Sequence, residues 1–484
     1  MALPTTEIRT REQVFVGGVW RDSAGGTPVE VRDPATLRPV GTAVLASAED
    51  VDVAVDSAVA TFESGTWRGR PAAERAAVLR RAADHLEGLG DLAVDLLTHE
   101  LGCVRGFAAA AHVPNPIRHL RYYADLIEAG PAEQIREDGT WRSLVVREPV
   151  GVVGAITPWN GPLSSPVLKV APALAAGCSV VLKPPPETPL TALLLADAMQ
   201  VAGLPEGALS VLPATREVGE HLVRHPGVDK IAFTGSTAAG KRILGLCADR
   251  VARVTLELGG KSAAVVLDDA DPDTVLDALL PMAMTVNGQL CIAQSRLLVP
   301  RHREAEFTDA LWARLQALPV GDPFDPATRI GPLVSAAQRD RVRDYLDLAR
   351  EEGARVLGGD VPDLPGWFVS PALLAGASNS MRAVREEIFG PVMALVAYDD
   401  VDSAVALAND SPYGLSGSVW SADSDRALAV ASRIRTGMVS VNGAPQAFGT
   451  PFGGMKQSGL GREMGPEGLA AYQELKSIAL GRAS

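Results

Sequence analysis

One thiol, one carboxylate and one amide in this chain are the groups that acyl-transfer chemistry needs, and each lies in a short polar or glycine-containing stretch. Cys291 lies in GQLCIAQSR, Glu257 precedes the glycine pair of ELGGK, and Asn160 follows the tryptophan of TPWNG. A thiolate is a nucleophile, a carboxylate with a raised pKa is a general base, and an amide N–H stabilises a developing oxyanion. Taken singly, each has a structural alternative: a packed cysteine, a salt-bridged glutamate and a turn-forming asparagine.

A strand-to-helix turn indicates a nucleotide site. The stretch FTGSTAAGK, residues 233–241, follows an apolar strand and opens a helix. Its glycines let a pyrophosphate approach the backbone, and the helix N-terminus offers unpaired N–H groups with a partial positive charge. The spacing differs from the dinucleotide fingerprint GxGxxG, so this signal is weak by itself. Lys183 ends another apolar strand within reach of a ribose or phosphate, although a loop lysine is more commonly exposed.

The elements that carry these residues alternate between β-branched runs and longer helical patterns from Gly151 onward. Continuous apolar strands separated by helices predict an α/β fold with a doubly wound parallel sheet, whose ligands bind beyond the carboxyl ends of the strands. One helix can be bounded: Thr188 suits the N-cap, Pro189 suits the first turn, and Gly203 stops it.

Two further regions flank this first series. A second alternating series begins at KSAAVVLDDA, after Gly259, and predicts a second α/β domain. The amino-terminal part is alanine-rich, and its pattern is mostly helical. Residues 141–149, WRSLVVREP, alternate apolar and polar side chains, which predicts an edge strand or a projecting arm.

The composition and charge of the chain limit the classes of partner that it is expected to bind. The chain has 484 residues, 47% of them apolar, which predicts two or three substructures. A net charge of −13 without a Lys/Arg run argues against nucleic acid or a membrane, so a small molecule is the expected partner. The four cysteines form no CxxC and the seven histidines no HExxH, so neither a metal nor a disulfide is expected. MALPTTEIRTREQ lacks the apolar core of a signal peptide and no apolar run reaches ~18 residues, so a cytoplasmic protein is expected.

The order of the motifs along the chain is far more specific than any one of them. They are PWN, FTGS, ELGGK, GQLC, EIFGP, VNG and PFGGMKQSGLGRE. In this order the sequence resembles the aldehyde dehydrogenase superfamily over nearly its whole length. The resemblance implies oxidation of an aldehyde to the carboxylic acid with NAD(P)+ through a cysteine thiohemiacetal and a thioester.

The resemblance implies a role for each reactive residue. Cys291 is then the catalytic nucleophile, Asn160 and the Cys291 backbone N–H stabilise the oxyanion, and Glu257 activates the hydrolytic water. Relatives that pass the acyl group to coenzyme A need no such base, so Glu257 favours a free-acid product. Glu463 matches a position that is linked to proton relay in some members.

The resemblance also implies an NAD site, with Lys183 at the adenosine ribose and Glu387 at the nicotinamide ribose. The complete set of cofactor-binding residues that it predicts is Ile156, Thr157, Pro158, Trp159, Lys183, Pro186, Gly219, Phe233, Thr234, Gly235, Ser236, Leu258, Gly259, Glu387 and Phe389.

Two positions depart from the family pattern. Many NAD-preferring relatives have, at the position of Pro186, a glutamate that holds the adenosine 2′-hydroxyl, whereas here Glu187 follows one place later. Without a carboxylate at this position, a 2′-phosphate is repelled less strongly. No Arg or Lys adjoins Pro186 in the sequence to attract that phosphate, so NAD is expected and NADP stays open. Gly161 stands where many members carry a bulky aromatic, which predicts a wider tunnel for a branched or ring-bearing aldehyde.

The fold implied by the resemblance has three parts. They are a Rossmann-type dinucleotide-binding domain (residues 1–128 and 149–258), a catalytic domain (259–443) and a small β oligomerisation element (129–148 and 466–484). In the family the arm extends the sheet of a neighbouring subunit, so a homodimer or homotetramer is expected.

Two other functions stay open from the sequence. A thioester or ester hydrolase would use only Cys291 and Glu257, and a requirement for a nicotinamide distinguishes it from a dehydrogenase. A non-catalytic binding relative would need none of Cys291, Glu257 and Asn160.

Overall fold

The structure, a computed structural model, describes residues 9–130 and 133–482. Residues 1–8 of the predicted range 1–128, residues 131–132 of the range 129–148 and residues 483–484 of the range 466–484 lie outside the described residues. The first eight residues of MALPTTEIRTREQ are therefore among those not described. Two large sheets, a three-stranded sheet and one hairpin carry the chain. The α/β class that the sequence predicts is confirmed.

The first sheet has eight strands, of which five are parallel, as the alternation from Gly151 predicts. In spatial order its strands are Gly459–Leu460, Arg253–Glu257, Lys230–Thr234, Val152–Ile156, Ser179–Lys183, Leu209–Val211, Val14–Val16 and Val19–Arg21. Parallel strands end at the same edge of a sheet, and ligands bind there. Glu257, Thr234 and Lys183 are the last residues of three of these strands, so the fold brings them to one edge.

The second sheet has seven strands within residues 263–441, and six of them are parallel. In spatial order they are Arg355–Gly358, Ala372–Ala375, Val392–Tyr398, Arg296–Pro300, Ala263–Val266, Gly417–Trp420 and Ser440–Val441. This sheet is the second α/β unit that the series from KSAAVVLDDA predicts.

The third sheet is antiparallel, with the strands Gln473–Arg482, Trp141–Pro149 and Glu133–Glu137 in that order. Trp141–Pro149 is therefore the middle strand. The edge-strand alternative is wrong for this segment, and the alternative of a projecting arm stays a prediction. The edge-strand prediction failed because alternation reports which face of a strand is apolar and not how many neighbours pair with it. The sheet leaves large apolar side chains exposed, including Leu475 and Leu480.

The amino-terminal part contains four strands in addition to the helices that its sequence pattern predicts. Thr27–Arg32 and Pro39–Leu45 form an antiparallel hairpin, and the two strands at Val14–Val16 and Val19–Arg21 add to the first sheet. Val14–Val16 and Val19–Arg21 have only three residues each, which is too short to produce a readable period of two.

Helices cover both faces of the two large sheets, and apolar clusters lie between the helices and each face. The α-helices are Ala48–Ser64, Ala72–Leu89, Asp91–Leu101, Arg105–Phe107, Pro114–Ala129, Ser164–Ala176, Pro189–Val201, Arg216–Arg224, Thr237–Ala248, Pro272–Met284, Glu304–Gln316, Ala336–Glu351, Arg382–Arg385, Val401–Asn409, Ser424–Ala431 and Gly465–Ala470. In the described part of the chain none of them combines the length and apolar character needed to span a bilayer.

The predicted helix after Lys183 is confirmed as Pro189–Val201, with Thr188 at the N-cap position. The Thr188 hydroxyl does not bond the helix but donates to the Trp159 carbonyl at 3.1 Å. The N-terminus of the helix is satisfied instead by the buried Glu100 carboxylate, which accepts from the Leu190 N–H at 2.6 Å. The loop of Lys183 is thus tied to the loop that carries Trp159 and Asn160.

Candidate active site

Cys291 lies in a turn whose preceding residues have an unusual backbone conformation. Val286 and Asn287 have positive φ angles of 50° and 57°, which is rare for non-glycine residues and a clear outlier for a β-branched one. Buried polar side chains fix this conformation. The Asn287 amide donates to the Pro332 carbonyl at 2.6 Å, and the fully buried Gln289 amide donates to the Val286 carbonyl at 3.0 Å. The thiol is therefore presented by a rigid loop.

Asn160 is connected directly to that loop. It follows the strand Val152–Ile156, and its side-chain amide donates to the Gln289 carbonyl at 2.9 Å. An amide nitrogen carries two hydrogens, so one N–H stays available beside Cys291. Asn160 and Cys291 also line the same cleft.

Glu257 ends its strand with a buried carboxylate that is only 2% exposed. Within residues 9–130 and 133–482 neither of its oxygens has a hydrogen-bond partner, so the salt-bridge alternative is wrong. Burial, followed by the charge of Glu463, raises the pKa of Glu257 well above its ordinary value. Glu463 forms an ion pair with Lys169, whose Nζ also donates to the Thr234 hydroxyl at 2.6 Å. A carboxylate in this setting holds a proton strongly, and once ionised it is a stronger base than an exposed glutamate.

Gly259 and Gly260, which follow Glu257, each lie too close to another part of the site to carry a side chain. A Cβ at Gly259 would collide with the Glu387 carboxylate, and one at Gly260 would collide with the Cys291 carbonyl oxygen. The Gly260 N–H donates to Glu387 Oε1 at 2.9 Å. The ELGGK motif therefore brings the carboxylate of EIFGP and the cysteine loop to the end of the Glu257 strand.

The EIFGP loop is held by a helix that the sequence does not single out. Phe389 has a positive φ of 66°, and its ring lies edge-on to Trp159 with centroids 5.3 Å apart. Gln338 donates to the Phe389 carbonyl at 2.7 Å, and Arg341 donates to the Glu387 carbonyl at 2.6 Å. Gln338 and Arg341 were missed because both lie on a polar, half-exposed helix without a recognisable motif.

The surroundings of Cys291 disfavour the thiolate as long as no cation is bound beside it. Burial, followed by the charges of Glu387 and Glu257, raises the pKa of Cys291 to about 12. Burial likewise raises the pKa of Glu387 to about 7. A positive charge placed among these groups would stabilise the thiolate and both carboxylates, so the site is suited to a cationic ligand.

A cleft of about 270 Å³ joins the reactive groups. It is lined by Pro158, Trp159, Asn160, Thr234, Gly235, Ser236, Glu257, Leu258, Gly259, Cys291, Gln338, Arg341, Glu387 and Phe389. Ser236 is the N-cap of the helix Thr237–Ala248, and its hydroxyl accepts from the Ala239 N–H at 3.3 Å. The predicted turn between strand and helix is therefore confirmed.

A second cleft, of about 640 Å³, continues from the first along the same edge of the sheet. The remaining predicted cofactor residues line it, namely Ile156, Thr157, Lys183, Pro186, Gly219 and Phe233. Lys183 is buried, with Nζ donating to the Pro184 and Ala214 carbonyls at 2.9 and 3.0 Å, so the alternative of an exposed loop lysine is wrong. Burial lowers its pKa to about 8. The structure therefore brings every predicted cofactor residue to one of two adjoining clefts.

Two arginines, Arg216 and Arg242, line the same cleft as Pro186, although no Arg or Lys adjoins Pro186 in the sequence. Arg242 is bound to Glu220 at 2.5 Å, whereas the exposed Arg216 has no side-chain partner among the described residues. This arrangement could not be predicted from the sequence, because Arg216 lies 30 positions from Pro186, on the helix after a different strand.

The space beside Gly161 is not empty. A Cβ at this position would lie 2.6 Å from the Ser164 hydroxyl oxygen and 2.9 Å from that of Ser165. Both serines begin the helix Ser164–Ala176 and are half-buried. The glycine therefore leaves room that two movable hydroxyl groups partly fill.

Comparison with known proteins agrees with this arrangement. The model of the aldehyde dehydrogenase family matches residues 20–478. Geranial dehydrogenase of Castellaniella defragrans is 44% identical over 471 residues, covering 97% of this chain and 98% of that protein. Aminoacetaldehyde dehydrogenase of Pseudomonas aeruginosa is 42% identical over 479 residues, with 96% and 95% covered. The crystal structure of a Mycobacterium tuberculosis aldehyde dehydrogenase complexed with NAD+ has a TM-score of 0.96 at 43% identity, covering 98% of this chain and 99% of that one.

Proposed function

The chain belongs to the aldehyde dehydrogenase family, and we propose that it oxidises an aldehyde to the carboxylic acid with NAD+ through Cys291, Asn160 and Glu257. The observation that carries this assignment is the convergence of the three side chains on one cleft. A hydrolase or a binding protein would not need that cleft to continue into a second one lined by the predicted nucleotide residues.

The first half of the reaction forms a bond to sulfur. The Cys291 thiolate adds to the aldehyde carbon, and the carbonyl oxygen becomes an oxyanion. The free N–H of the Asn160 amide and the Cys291 backbone N–H stabilise that charge, and such a donor is commonly worth about 3 kcal/mol. Loss of hydride from the adduct carbon leaves a thioester on Cys291.

The second half releases the acid. Glu257 removes a proton from water, the water oxygen bonds to the thioester carbon, and the carbon–sulfur bond breaks to return the Cys291 thiolate. The unpaired, buried carboxylate suits this role because no hydrogen bond has to be broken before it accepts the proton.

The residues present fit NAD+. Bound NAD+ supplies the acceptor for the hydride and a positive charge for a site that is rich in carboxylates. Glu387 and Phe389 are suited to the nicotinamide end, the N-terminus of the helix Thr237–Ala248 to the pyrophosphate, and Lys183 to the adenosine ribose.

Absorbance of reduced nicotinamide tests the function. Purified protein is mixed with NAD+ or NADP+ and a panel of aliphatic, aromatic and terpenoid aldehydes. Formation of NADH with at least one aldehyde is the expected result. A flat trace throughout, together with hydrolysis of an ester, would favour the hydrolase instead.

Cofactor choice gives the first prediction. Pro186→Glu should raise the preference for NAD+ over NADP+ by about tenfold or more, because a carboxylate there repels a 2′-phosphate and accepts from a 2′-hydroxyl. Arg216→Ala should shift the preference in the same direction by removing an unpaired cation from the cleft. The ratio of kcat/KM for the two cofactors measures both effects. Glu206→Gln, at an exposed glutamate that lines neither cleft, is the control. Equal ratios in all variants would contradict the assignment.

The second prediction concerns the shape of the aldehydes that the site accepts. A relative that is 44% identical is named geranial dehydrogenase, and geranial is a branched aldehyde. We infer that Gly161 admits branched or ring-bearing aldehydes once Ser164 and Ser165 rotate aside. Gly161→Phe should lower kcat/KM for such aldehydes about tenfold more than for short linear ones. Turnover restricted to short linear aldehydes, and unchanged in Gly161→Phe, would count against this inference.

The wider organisation is part of the same proposal. We assign residues 1–128 and 149–258 to the dinucleotide-binding domain, 259–443 to the catalytic domain, and 129–148 with 466–484 to an oligomerisation element. The exposed apolar side chains of the three-stranded sheet support a homodimer or homotetramer. A cytoplasmic location agrees with the four cysteines, all of which are free thiols.

A further inference from the structure

The hydroxyl group of Ser458 joins two loops that meet beside the active-site cleft. Ser458 lies in the glycine-rich segment PFGGMKQSG and is fully buried. Its Oγ accepts from the Gly414 N–H at 2.9 Å and donates to the Gly259 carbonyl at 2.7 Å. A hydroxyl group has one hydrogen, and because the Gly414 N–H is itself a donor, that hydrogen points at the Gly259 carbonyl. The direction of the bond from Ser458 to Gly259 is therefore fixed.

The carbonyl that Ser458 binds belongs to the peptide group between Gly259 and Gly260. This group is trans, so its C=O and N–H lie in one plane and point in opposite directions. On the side away from Ser458, the N–H of the group donates to Glu387 Oε1 at 2.9 Å. One rigid peptide plane therefore connects the Ser458 hydroxyl with the Glu387 carboxylate, and both hydrogen bonds at its ends have ordinary lengths.

The residues on either side of this peptide group are both glycines. Glycine has no Cβ, so the rotations that turn a peptide plane between two glycines meet few steric limits. Glycine is nevertheless required at both positions, because a Cβ at Gly259 would collide with Glu387 and one at Gly260 with the Cys291 carbonyl oxygen. The close approach of these groups thus requires residues that do not fix the peptide by themselves. A hydrogen bond from outside has to fix it, and Ser458 supplies that bond.

The Glu387 carboxylate depends on this peptide for its position. In the described part of the chain the Gly260 N–H is the only hydrogen-bond donor to the carboxylate. Burial raises the pKa of Glu387 to about 7, and the Gly260 N–H is the first of the groups that oppose this rise. Because hydrogen bonds weaken steeply with misalignment, a turn of the peptide plane would release the carboxylate and leave it without a donor.

Ser458 is itself held by backbone bonds to both large sheets. Its carbonyl accepts from the Leu258 N–H at 2.8 Å, and the strand Gly459–Leu460 that follows it belongs to the first sheet. Gly414, whose N–H the hydroxyl accepts, lies shortly before the strand Gly417–Trp420 of the second sheet. The hydroxyl is therefore presented from a fixed backbone and can hold the glycine peptide in one orientation.

We propose that Ser458 is a positioning residue for the nucleotide cofactor, because its hydroxyl fixes the Gly259–Gly260 peptide and thereby the Glu387 carboxylate. The inference rests on the proposed function, in which Glu387 serves the nicotinamide end of NAD+. Ser458 is not among the residues that line the two clefts, so it acts only through the peptide. Loss of its hydroxyl leaves the peptide free to turn, and the carboxylate is then less often in place to bind a ribose.

Ser458→Ala tests this inference through the affinity for NAD+. Removal of the hydroxyl should raise the dissociation constant of NAD+ about tenfold, measured by titration calorimetry without aldehyde. Ser210→Ala is the matched control, because Ser210 is also buried and its Oγ accepts from the Gly17 N–H at 2.8 Å, outside both clefts. Each variant leaves one backbone N–H without its acceptor, so both should have a lower melting temperature. Only Ser458→Ala should bind NAD+ more weakly.

A double-mutant cycle tests whether Ser458 acts through Glu387. Glu387→Ala removes the acceptor of the Gly260 N–H and should weaken the binding of NAD+ by itself. If Ser458 acts through the carboxylate, adding Ser458→Ala to Glu387→Ala should change the dissociation constant by less than about twofold. A further loss of about tenfold would show that the two residues act independently, and it would overturn the inference.

Hydrogen exchange of the cofactor-free protein measures the peptide directly. Ser458→Ala should accelerate exchange of the Gly260 N–H about tenfold, read by mass spectrometry in peptides that contain ELGGK. Ser210→Ala should leave this exchange unchanged, although its melting temperature is also lowered. Equal exchange of the Gly260 N–H in Ser458→Ala and in the unmodified protein would show that Ser458 does not hold the peptide.

The outcomes separate the role of Ser458 from the proposed function. An unchanged NAD+ affinity in Ser458→Ala means that the role of Ser458 is wrong while the dehydrogenase function stands. Should Ser458→Ala fail to fold, Ser458→Cys decides, because a thiol occupies the same place as a weaker donor and should also weaken NAD+ binding. If the unmodified protein neither binds NAD+ nor forms NADH with any aldehyde, the proposed function itself has failed.

Discussion

Cys291→Ala is expected to abolish NADH formation, by about 10⁴-fold or more, and to leave the fold intact. The thiol supplies the only bond between enzyme and substrate in the proposed reaction, so no other group replaces it. The side chain is half-buried in a turn that Asn287 and Gln289 fix, so loss of one sulfur atom does not disturb the loop. Initial rates of absorbance change, beside a melting curve for each protein, measure the two parts of this prediction.

Cys247→Ala is the matched control. Cys247 is a free, buried thiol on the helix Thr237–Ala248 and packs in the core rather than in the cleft. Its replacement should lower the melting temperature slightly and leave kcat near that of the unmodified protein. Retention of aldehyde-dependent NADH formation in Cys291→Ala would show that the nucleophile has been wrongly assigned.

Glu257→Gln should separate the two halves of the reaction. An amide of the same shape cannot accept the proton of water, so hydrolysis of the thioester should slow by about 10²- to 10⁴-fold. Addition of the thiolate and loss of hydride do not need this carboxylate. The variant should therefore release about one NADH per active site in a rapid burst and then nearly stop. Rapid mixing with absorbance detection measures the burst and the slow phase together.

Glu100→Gln is the control for a buried glutamate. Both residues are almost completely buried, but the Glu100 carboxylate accepts from the Thr191 N–H at 2.8 Å and stabilises the N-terminus of the helix Pro189–Val201. Its replacement should lower the melting temperature and preserve repeated turnover. A Glu257→Gln variant that turns over repeatedly at the wild-type rate would remove Glu257 from the mechanism.

The same residue sets the pH dependence of hydrolysis. Burial, with Glu463 second, raises the pKa of Glu257, so the ionised base becomes more abundant as the pH rises through that elevated pKa. Deacylation of the unmodified protein should therefore accelerate with pH over a range well above that of an ordinary glutamate, and Glu257→Gln should lose this dependence. An acid limb near pH 4.5 would indicate an unperturbed carboxylate.

The strand-end residues could be located from sequence, because parallel strands must end at one edge. Glu257 and Thr234 each follow a run of apolar residues, and they are register partners in the structure. The same logic placed the turn before Ser236. Such inferences depend only on the period of the apolar pattern, which is a local property.

Other parts of the site could not be predicted because they depend on distant packing. Arg216 and Pro186 line one cleft only because of the order of strands in the sheet. Gln338 and Arg341 contact the EIFGP loop from a polar helix that carries no motif. Lys169 could have been recognised from the sequence, because a lysine within the apolar run PVLKVAPALAAG needs a buried partner of opposite charge. In the structure that partner is Glu463.

An acyl group is expected to form on Cys291 as hydride leaves. Mass spectrometry of Glu257→Gln, quenched with acid after mixing with NAD+ and an aldehyde that the enzyme oxidises, tests it directly. We expect an acyl mass on the peptide that contains GQLCIAQSR, in an amount equal to the NADH released. NADH without any adduct, or an adduct on a peptide carrying Cys103, Cys178 or Cys247, would contradict it.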